Sequence, residues 1–301
     1  MNHKILITGA SGLIGNRLTE LLLQNGHRVW HLSRNKKAGK VQAFVWDVEN
    51  KTMDVKALEG VDTIIHLAGA GVADKRWTAE RKKEILDSRI NSTRLLFETL
   101  KNETHSVRTF VSASAIGYYG FGQNDEVFME ESKAGKGFLA DVTKQWEEET
   151  NLIATLGLRV VKLRIGIVLS EKGGALAEMA KPIRFGVGSP LGTGRQYLSW
   201  IHIDDLCAMF SKAVEDERMQ GAYNATTSWL TNADLTRAIA HVLKKPLWLP
   251  PVPSFMMKLI LGEMADIVLN GSKVSSEKIK KAGFQFKYVE LDEALKNILS
   301  A

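Results

Sequence analysis

The run Lys4-Ile5-Leu6-Ile7-Thr8-Gly9-Ala10-Ser11-Gly12-Leu13-Ile14-Gly15 decides the fold. Its first half is a short apolar stretch rich in β-branched residues, the pattern of a buried strand. Three glycines at spacing three follow, and Asn16 to Gln24 then shows the apolar spacing of a helix. Strand, glycine turn and helix in this order form a phosphate-binding unit. The glycines let the backbone turn tightly and approach a pyrophosphate, and the helix N-terminus offers free N–H groups and the positive end of a dipole. A tight turn with no ligand is the alternative, and the placement between strand and helix argues against it. Gly9, Ser11, Gly12, Leu13, Ile14 and Gly15 are therefore the expected dinucleotide cradle.

The chain has 301 residues, enough for one large domain or two and for a sizeable core. With 45% hydrophobic and 25% charged residues and six prolines, it reads as a soluble globular protein. No apolar run approaches a membrane span. The first strand begins at once, which leaves no room for a signal peptide. The single cysteine, Cys207, excludes an internal disulfide framework and a cysteine-based metal cluster. A cytoplasmic protein with no membrane partner is expected. Net charge is +6, but the basic residues are scattered among acidic ones, so no nucleic-acid partner is expected. Runs such as Arg34-Asn35-Lys36-Lys37 and Lys278-Ile279-Lys280-Lys281 read as solvated faces, and a phosphorylated ligand makes better use of the excess charge.

Further strands are expected at Arg28 to Leu32, Val41 to Trp46, Asp62 to Leu67, Arg108 to Ser112 and Arg159 to Leu169. Helices are expected at Thr78 to Lys101 and Leu139 to Leu156. Strands alternating with helices predict an α/β fold of Rossmann type, a doubly wound parallel sheet covered on both faces. This places a dinucleotide-binding domain over 1–169, with strand and helix features returning near 199–228. The rhythm loosens after Leu169 into a glycine-rich region, and a smaller, interleaved substrate or cap region is expected over 170–301. Helices are expected there at Ala175 to Phe185, Asn232 to Leu243, Phe255 to Leu269 and Leu291 to Leu299. The proline-rich joint Pro246 to Pro253 precedes a C-terminal segment at about 249–299.

The end of the second strand selects the cofactor. NAD recognition places an Asp or Glu there to accept from the ribose 2′-hydroxyl. Here the residues are Leu32-Ser33-Arg34, with no carboxylate, and Ser33 and Arg34 suit a 2′-phosphate instead. NADP(H) is the expected cofactor. Asp47 is either an adenine ligand or a turn former. His66-Leu67-Ala68-Gly69 closes the next strand where small residues suit a nearby ribose, and His66 itself reads as a hydrogen-bonded strand-end histidine.

These motifs, with Val111-Ser112-Ala113-Ser114-Ala115, Tyr119-Gly120, Leu163-Arg164 and Trp200 to Asp205, follow the order of extended short-chain dehydrogenase/reductases, the group of nucleotide-sugar epimerases and dehydratases. The resemblance covers essentially the whole chain. Arg76-Trp77, Ser88-Arg89, Phe138 to Glu147 and Gly194 to Asp205 resemble an atypical "epimerase family" branch with an added C-terminal segment, here about Leu249 to Leu299. It implies NADP(H) contacts at Ser33, Arg34, Leu67, Ala68, Glu84 and Arg89 and near Ile167, with Arg164 on the nicotinamide or substrate side. It also implies a small-molecule substrate and a homodimer.

The superfamily uses Tyr-x-x-x-Lys, in which the phenol transfers a proton while the lysine lowers its pKa and holds the ribose. In this chain Lys144 and Glu147 fit the pattern, but the tyrosine position falls on Ala140. Lys144 is then a ribose ligand or a surface lysine. Tyr118 or Tyr119 is the candidate replacement phenol, and Ser114 the preferred serine. Arg76, Trp77, Arg195, Gln196 and Trp200 are the expected substrate pocket. His202, Asp204 and Asp205 read as a strand-to-helix junction with an aspartate N-cap rather than a metal site. Two functions compete: an NADP(H)-dependent oxidoreductase or epimerase-like enzyme with a nonstandard acid–base group, and a catalytically silent NADP(H)-binding sensor.

Overall fold

The glycine turn joins β1 (Lys4–Thr8) to α1 (Leu13–Gln24) in a computed structural model that describes residues 2–35, 41–122 and 125–300. Lys36 and Lys37 of the first basic run lie outside the described residues. The chain continues through β2 (Arg28–Ser33), β3 (Gln42–Asp47), β4 (Thr52–Met53), β5 (Thr63–His66), α2 (Ala79–Asn102) and β6 (Thr109–Ala115). Next come β7 (Val127–Phe128), α3 (Phe138–Ala154), β8 (Arg159–Ile165), β9 (Ile167–Leu169), α4 (Gly174–Arg184), β10 (Tyr197–His202) and α5 (Ile203–Glu215). The remainder is β11 (Gly221–Ala225), β12 (Ser228–Thr231), α6 (Asn232–Val242), α7 (Ser254–Leu261), α8 (Asp266–Leu269), β13 (Lys273–Val274), α9 (Glu277–Lys281) and α10 (Leu291–Leu299).

The main sheet has eight strands in the order β11-β8-β6-β5-β1-β2-β3-β4, all parallel except the β3–β4 return. The expected α/β Rossmann-type architecture is present. Alternation along β1 explains its two covered faces. Ile5 and Ile7 pack with Leu18 and Leu22 of α1 and Leu206 and Phe210 of α5. Leu6 points the other way, into a cluster with Leu96 and Leu100 of α2 and Ile153 of α3. Strand order reverses between β1 and β5, so a crevice opens at their carboxyl ends, the position where such sheets bind ligands.

Three sequence expectations change. The strand expected over Arg159 to Leu169 is two strands in different sheets. At Gly166 the chain leaves β8 for β9, and a Cβ there would lie 2.5 Å from Ser199 O, so only glycine permits the crossing. β10 does not return to the main sheet but pairs with β9 and β12 in a three-stranded sheet; α5 and β11 do return. The helix expected over Phe255 to Leu269 breaks at Gly262, whose φ is +62°. Among the described residues no helix is long and apolar enough to cross a membrane.

Candidate functional site

The glycine turn is a cradle that side chains would fill. Gly9 has φ +69°, and a Cβ there would stand 2.8 Å from Ala68 N. At Gly15 it would reach Ala10 Cα and Gly9 O at 2.5 Å. The Gly12 N–H donates to Gly9 O at 3.0 Å, closing the turn. α1 then begins with no side-chain cap and no acidic residue in its first turn, so its leading N–H groups and dipole end remain available to an anion. A pyrophosphate fits the residues present.

A hydrogen-bonded chain ties this turn to β5. The Leu67 and Ala68 N–H groups donate to Thr8 Oγ1, each at 3.2 Å. Thr8 Oγ1 contacts His66 Nδ1 at 2.7 Å, and His66 Nε2 contacts Thr93 Oγ1 at 3.1 Å. Thr93 donates onward to Arg89 O, so the consistent assignment has Thr8 donating to Nδ1 and the His66 Nε2–H donating to Thr93. Burial, followed by the Arg89 charge, pushes the His66 pKa down to about 3. His66 is a neutral strut. Arg89 lies along Gly69, and its Nη1 donates to Ile85 O at 2.8 Å.

On the other side of the turn, Arg34 is exposed at the end of β2 and Ser33 Oγ donates to Asn35 O at 2.7 Å. The Glu84 carboxyl, in the second turn of α2, is held low chiefly by its hydrogen-bonded ion pair with Arg81 at 2.6 Å. Asp47 is a turn former: its carboxylate accepts from Glu49 N, Asn50 N and Asn50 Nδ2.

Past β5 the structure corrects several assignments. Ser114 Oγ donates to Glu147 Oε1 at 2.6 Å, so its proton is committed to a carboxylate. Arg164 grips the same carboxylate with two donors, Nε at 2.8 Å and Nη2 at 2.9 Å, and Lys162 Nζ lies 3.3 Å away. Arg164 Nη1 also donates to Tyr119 Oη at 2.9 Å, and Tyr119 donates to Asn224 Oδ1 at 2.7 Å. The Tyr119 phenol is buried and, through that burial, pushed up to about 12. Ser114, Tyr119 and Arg164 are thus members of an internal ion-pair network, not free site groups. Tyr118 differs. Its ring covers the Arg164 guanidinium at 3.6 Å, it is half-buried, and its phenol has no hydrogen-bond partner among the described residues.

Lys144 is also displaced from its expected role. Its side chain is 57% exposed, 4.0 Å from Glu148, on the outer face of α3. The inward face carries Ala140, Thr143, Trp146, Glu147 and Thr150. A Cβ at Gly117, in the turn after β6, would meet Leu139 Cβ at 3.4 Å and Thr143 Oγ1 at 3.6 Å. Leu139 and Thr143 thus pack beside that turn, while Ala140 is buried on the inward face and Lys144 is exposed.

At the mouth, Arg76 is exposed against Gly262, and Trp77 donates from Nε1 to Val72 O at 2.8 Å with its ring against Phe138. Lys82 pairs with Glu263. These contacts bring the C-terminal segment to the β5–α2 loop. Gln196 donates from Nε2 to Leu191 O and Val268 O, which pins the glycine-rich loop to α8, and Arg195 beside it is exposed. Trp200 is corrected: it is 1% exposed in the core shared by α4, α6 and α10 and lines no opening.

The sequence profile of the NAD dependent epimerase/dehydratase family matches residues 5–226, and a domain of unknown function, DUF1731, matches 252–298. The chain belongs to the NAD dependent epimerase/dehydratase family. It is 38% identical to the epimerase family protein SDR39U1 homolog, chloroplastic, of Arabidopsis thaliana, over 98% of this chain and 86% of that one. It is 35% identical to the epimerase family protein YfhF of Bacillus subtilis over 98% of both. The crystal structure of the human epimerase family protein SDR39U1 with NADPH superposes with a TM-score of 0.90 at 31% identity, covering 99% of each chain. A Thermus thermophilus UDP-glucose 4-epimerase, 20% identical with a TM-score of 0.77 over 99% of this chain and 98% of that one, shares the fold.

Within this NAD(P)-dependent family, the chain carries neither tyrosine nor lysine at the inward positions of α3. The Glu147–Arg164 hub was the feature least visible beforehand, because its members come from β6, α3 and β8. The signal available was the inward stripe of small and polar residues on α3, which identifies Thr143 and Glu147 as facing the sheet.

Proposed function

We propose that the protein binds NADP(H) and exchanges hydride with a small, carbonyl-bearing substrate, nucleotide-sugar-like in size, using Tyr118 in place of the missing phenol. The observation that carries the reading is the carboxylate-free end of β2, where Ser33 and the exposed Arg34 flank the crevice of an open glycine turn. The human relative crystallised with NADPH supports the same choice. When bound, the nicotinamide supplies or accepts the hydride. The glycine turn and α1 N–H groups hold the pyrophosphate, with Leu67, Ala68 and Gly69 as the close-approach wall and Arg89 as the neighbouring cation. Ser33 and Arg34 receive the 2′-phosphate, Glu84 orients the start of α2, and Ile167 flanks the nicotinamide side. Tyr118 is the one phenol at the carboxyl end of β6 whose hydroxyl is not consumed by the fold, so it is the group able to move a proton to or from substrate oxygen.

A second reading, a silent NADP(H) sensor, is favoured by one feature: the buried positions of α3 carry neither a tyrosine nor a lysine. Calorimetry and a metabolite screen separate the readings. NADPH is expected to bind at least tenfold more tightly than NADH, and Arg34→Ala to remove most of that difference, about 1.4 kcal/mol or more. Equal wild-type affinities would overturn the cofactor assignment. Turnover of a bound metabolite should be lost in Tyr118→Phe; ligand binding with neither absorbance change nor product establishes the sensor.

A further inference from the structure

Five buried side-chain polar atoms have no partner among the described residues, and one of them, on the inward face of α3, is Trp146 Nε1. The Trp146 side chain is 6% exposed, and its indole N–H meets no acceptor among the described residues. Native interiors seldom leave a donor in that state. The ring lies 5.2 Å from the Arg89 guanidinium, and Arg89 in turn lies flat on Gly69, where a Cβ would stand 3.2 Å from its Cγ and Cζ. Arg89 itself is half-buried with a single backbone acceptor, Ile85 O, and among the described residues no carboxylate pairs with it. Burial and the like charge of Arg81 push its pKa down to about 10. An unpartnered indole N–H and a guanidinium whose one acceptor is Ile85 O therefore lie side by side, with no carboxylate paired to either among the described residues.

Their place in the fold identifies the acceptor. Gly69 follows Ala68, whose N–H donates to Thr8 Oγ1 and whose nitrogen would stand 2.8 Å from a Cβ on Gly9, so the pair adjoins the glycine turn. It lies on the β6–β8 side of that turn, opposite Ser33, the last residue of β2, and Arg34 just after it. A dinucleotide with its pyrophosphate at the turn and its 2′-phosphate beside β2 extends its nicotinamide ribose to this side. One helical turn before Trp146, the inward position of α3 is Thr143 and no amine is present.

We propose that Trp146 is a cofactor-binding residue: its indole N–H, uncovered as Arg89 turns toward the phosphates, donates to a hydroxyl of the nicotinamide ribose. This assignment rests on the NADP(H) reading above. It gives α3 a ribose contact in a chain without the lysine that serves elsewhere in the superfamily.

The test compares two ligands on the full chain by calorimetry. NADPH contains the nicotinamide ribose; 2′,5′-ADP contains only the adenosine end. Trp146→Phe keeps the ring beneath Arg89 and removes the N–H. It is expected to weaken NADPH about five- to tenfold while leaving 2′,5′-ADP within about twofold. Equal weakening of both ligands, or no change in either, overturns the assignment. Should the Phe variant fail to fold, Trp146→Leu, which also lacks a ring N–H, carries the same comparison with the same expected loss confined to NADPH; a loss shared by both ligands, or no change in either, again overturns it. Failure of the wild type to bind NADPH overturns the parent reading, a different outcome from a variant that binds normally.

Discussion

At the carboxyl end of β5, His66 is enclosed by Thr8, Ser92 and Thr93, and each ring nitrogen has a hydroxyl partner. Its pKa of about 3 in the fold, against an ordinary 6.5, fixes the sign of a pH effect. Between those values the unfolded chain holds one more proton than the native one, so the contribution is fully present above pH 6.5 and declines as pH falls. The slope is about 1.4 kcal/mol per pH unit. His31 and His202 are lowered by burial too and add to the wild-type decline. His66→Asn isolates the one residue: it should cost about 1–3 kcal/mol at pH 7.5 through broken hydrogen bonds. The gap should narrow by about 2 kcal/mol between pH 6.5 and 5, because only the wild type loses His66's share. Urea unfolding at both pH values measures this, and a constant gap would mean that the ring is not held neutral.

On α3 a shift of one residue turns a side chain by about 100°. That rotation separates Lys144, which faces solvent, from Thr143, which is buried beside Gly117 in the turn after β6. Lys144→Ala should therefore leave NADPH affinity within about twofold and stability within about 0.5 kcal/mol. Glu147→Ala, three residues further along, strips the carboxylate from buried Arg164 and Lys162 and should cost about 3–5 kcal/mol. Thermal unfolding and calorimetry check the pair, and a tenfold loss of NADPH affinity in Lys144→Ala would contradict the frame. The contrast also marks what sequence made legible. β1, its glycine turn and α1 are local patterns, readable from an apolar run and three glycines. The inward face of α3 depends on Ser114 and Arg164, 33 and 17 residues from Glu147, and no local pattern reports that meeting.

Across the whole molecule, the run from Trp200 to Asp205 joins the Rossmann-type half to the C-terminal segment. The sequence reads as a strand-to-helix junction with an aspartate N-cap; in the fold His202 is the cap of α5, its Nδ1 accepting from Asp204 N at 3.0 Å. Asp204 accepts from Arg17 Nε of α1 at 2.6 Å. Asp205 faces the other way and accepts from Lys287 N at 2.8 Å and Tyr288 N at 3.0 Å, while Tyr288 stacks on His202 at 3.8 Å. Beyond that clamp, Ala294, Leu295, Ile298 and Leu299 of α10 enter the core with Leu235 and Ile239 of α6. The clamp was illegible because its acceptor and donors lie 82 and 83 residues apart. Asp205→Ala leaves two backbone N–H groups unpaired and should cost about 2–4 kcal/mol. Hydrogen exchange locates the loss: amides over 284–299 should exchange faster, while β1 and β2, held by parallel pairing and two packed faces, should change least. Uniform acceleration through the main sheet would mean that the clamp supports the whole fold rather than the seat of its C-terminal segment.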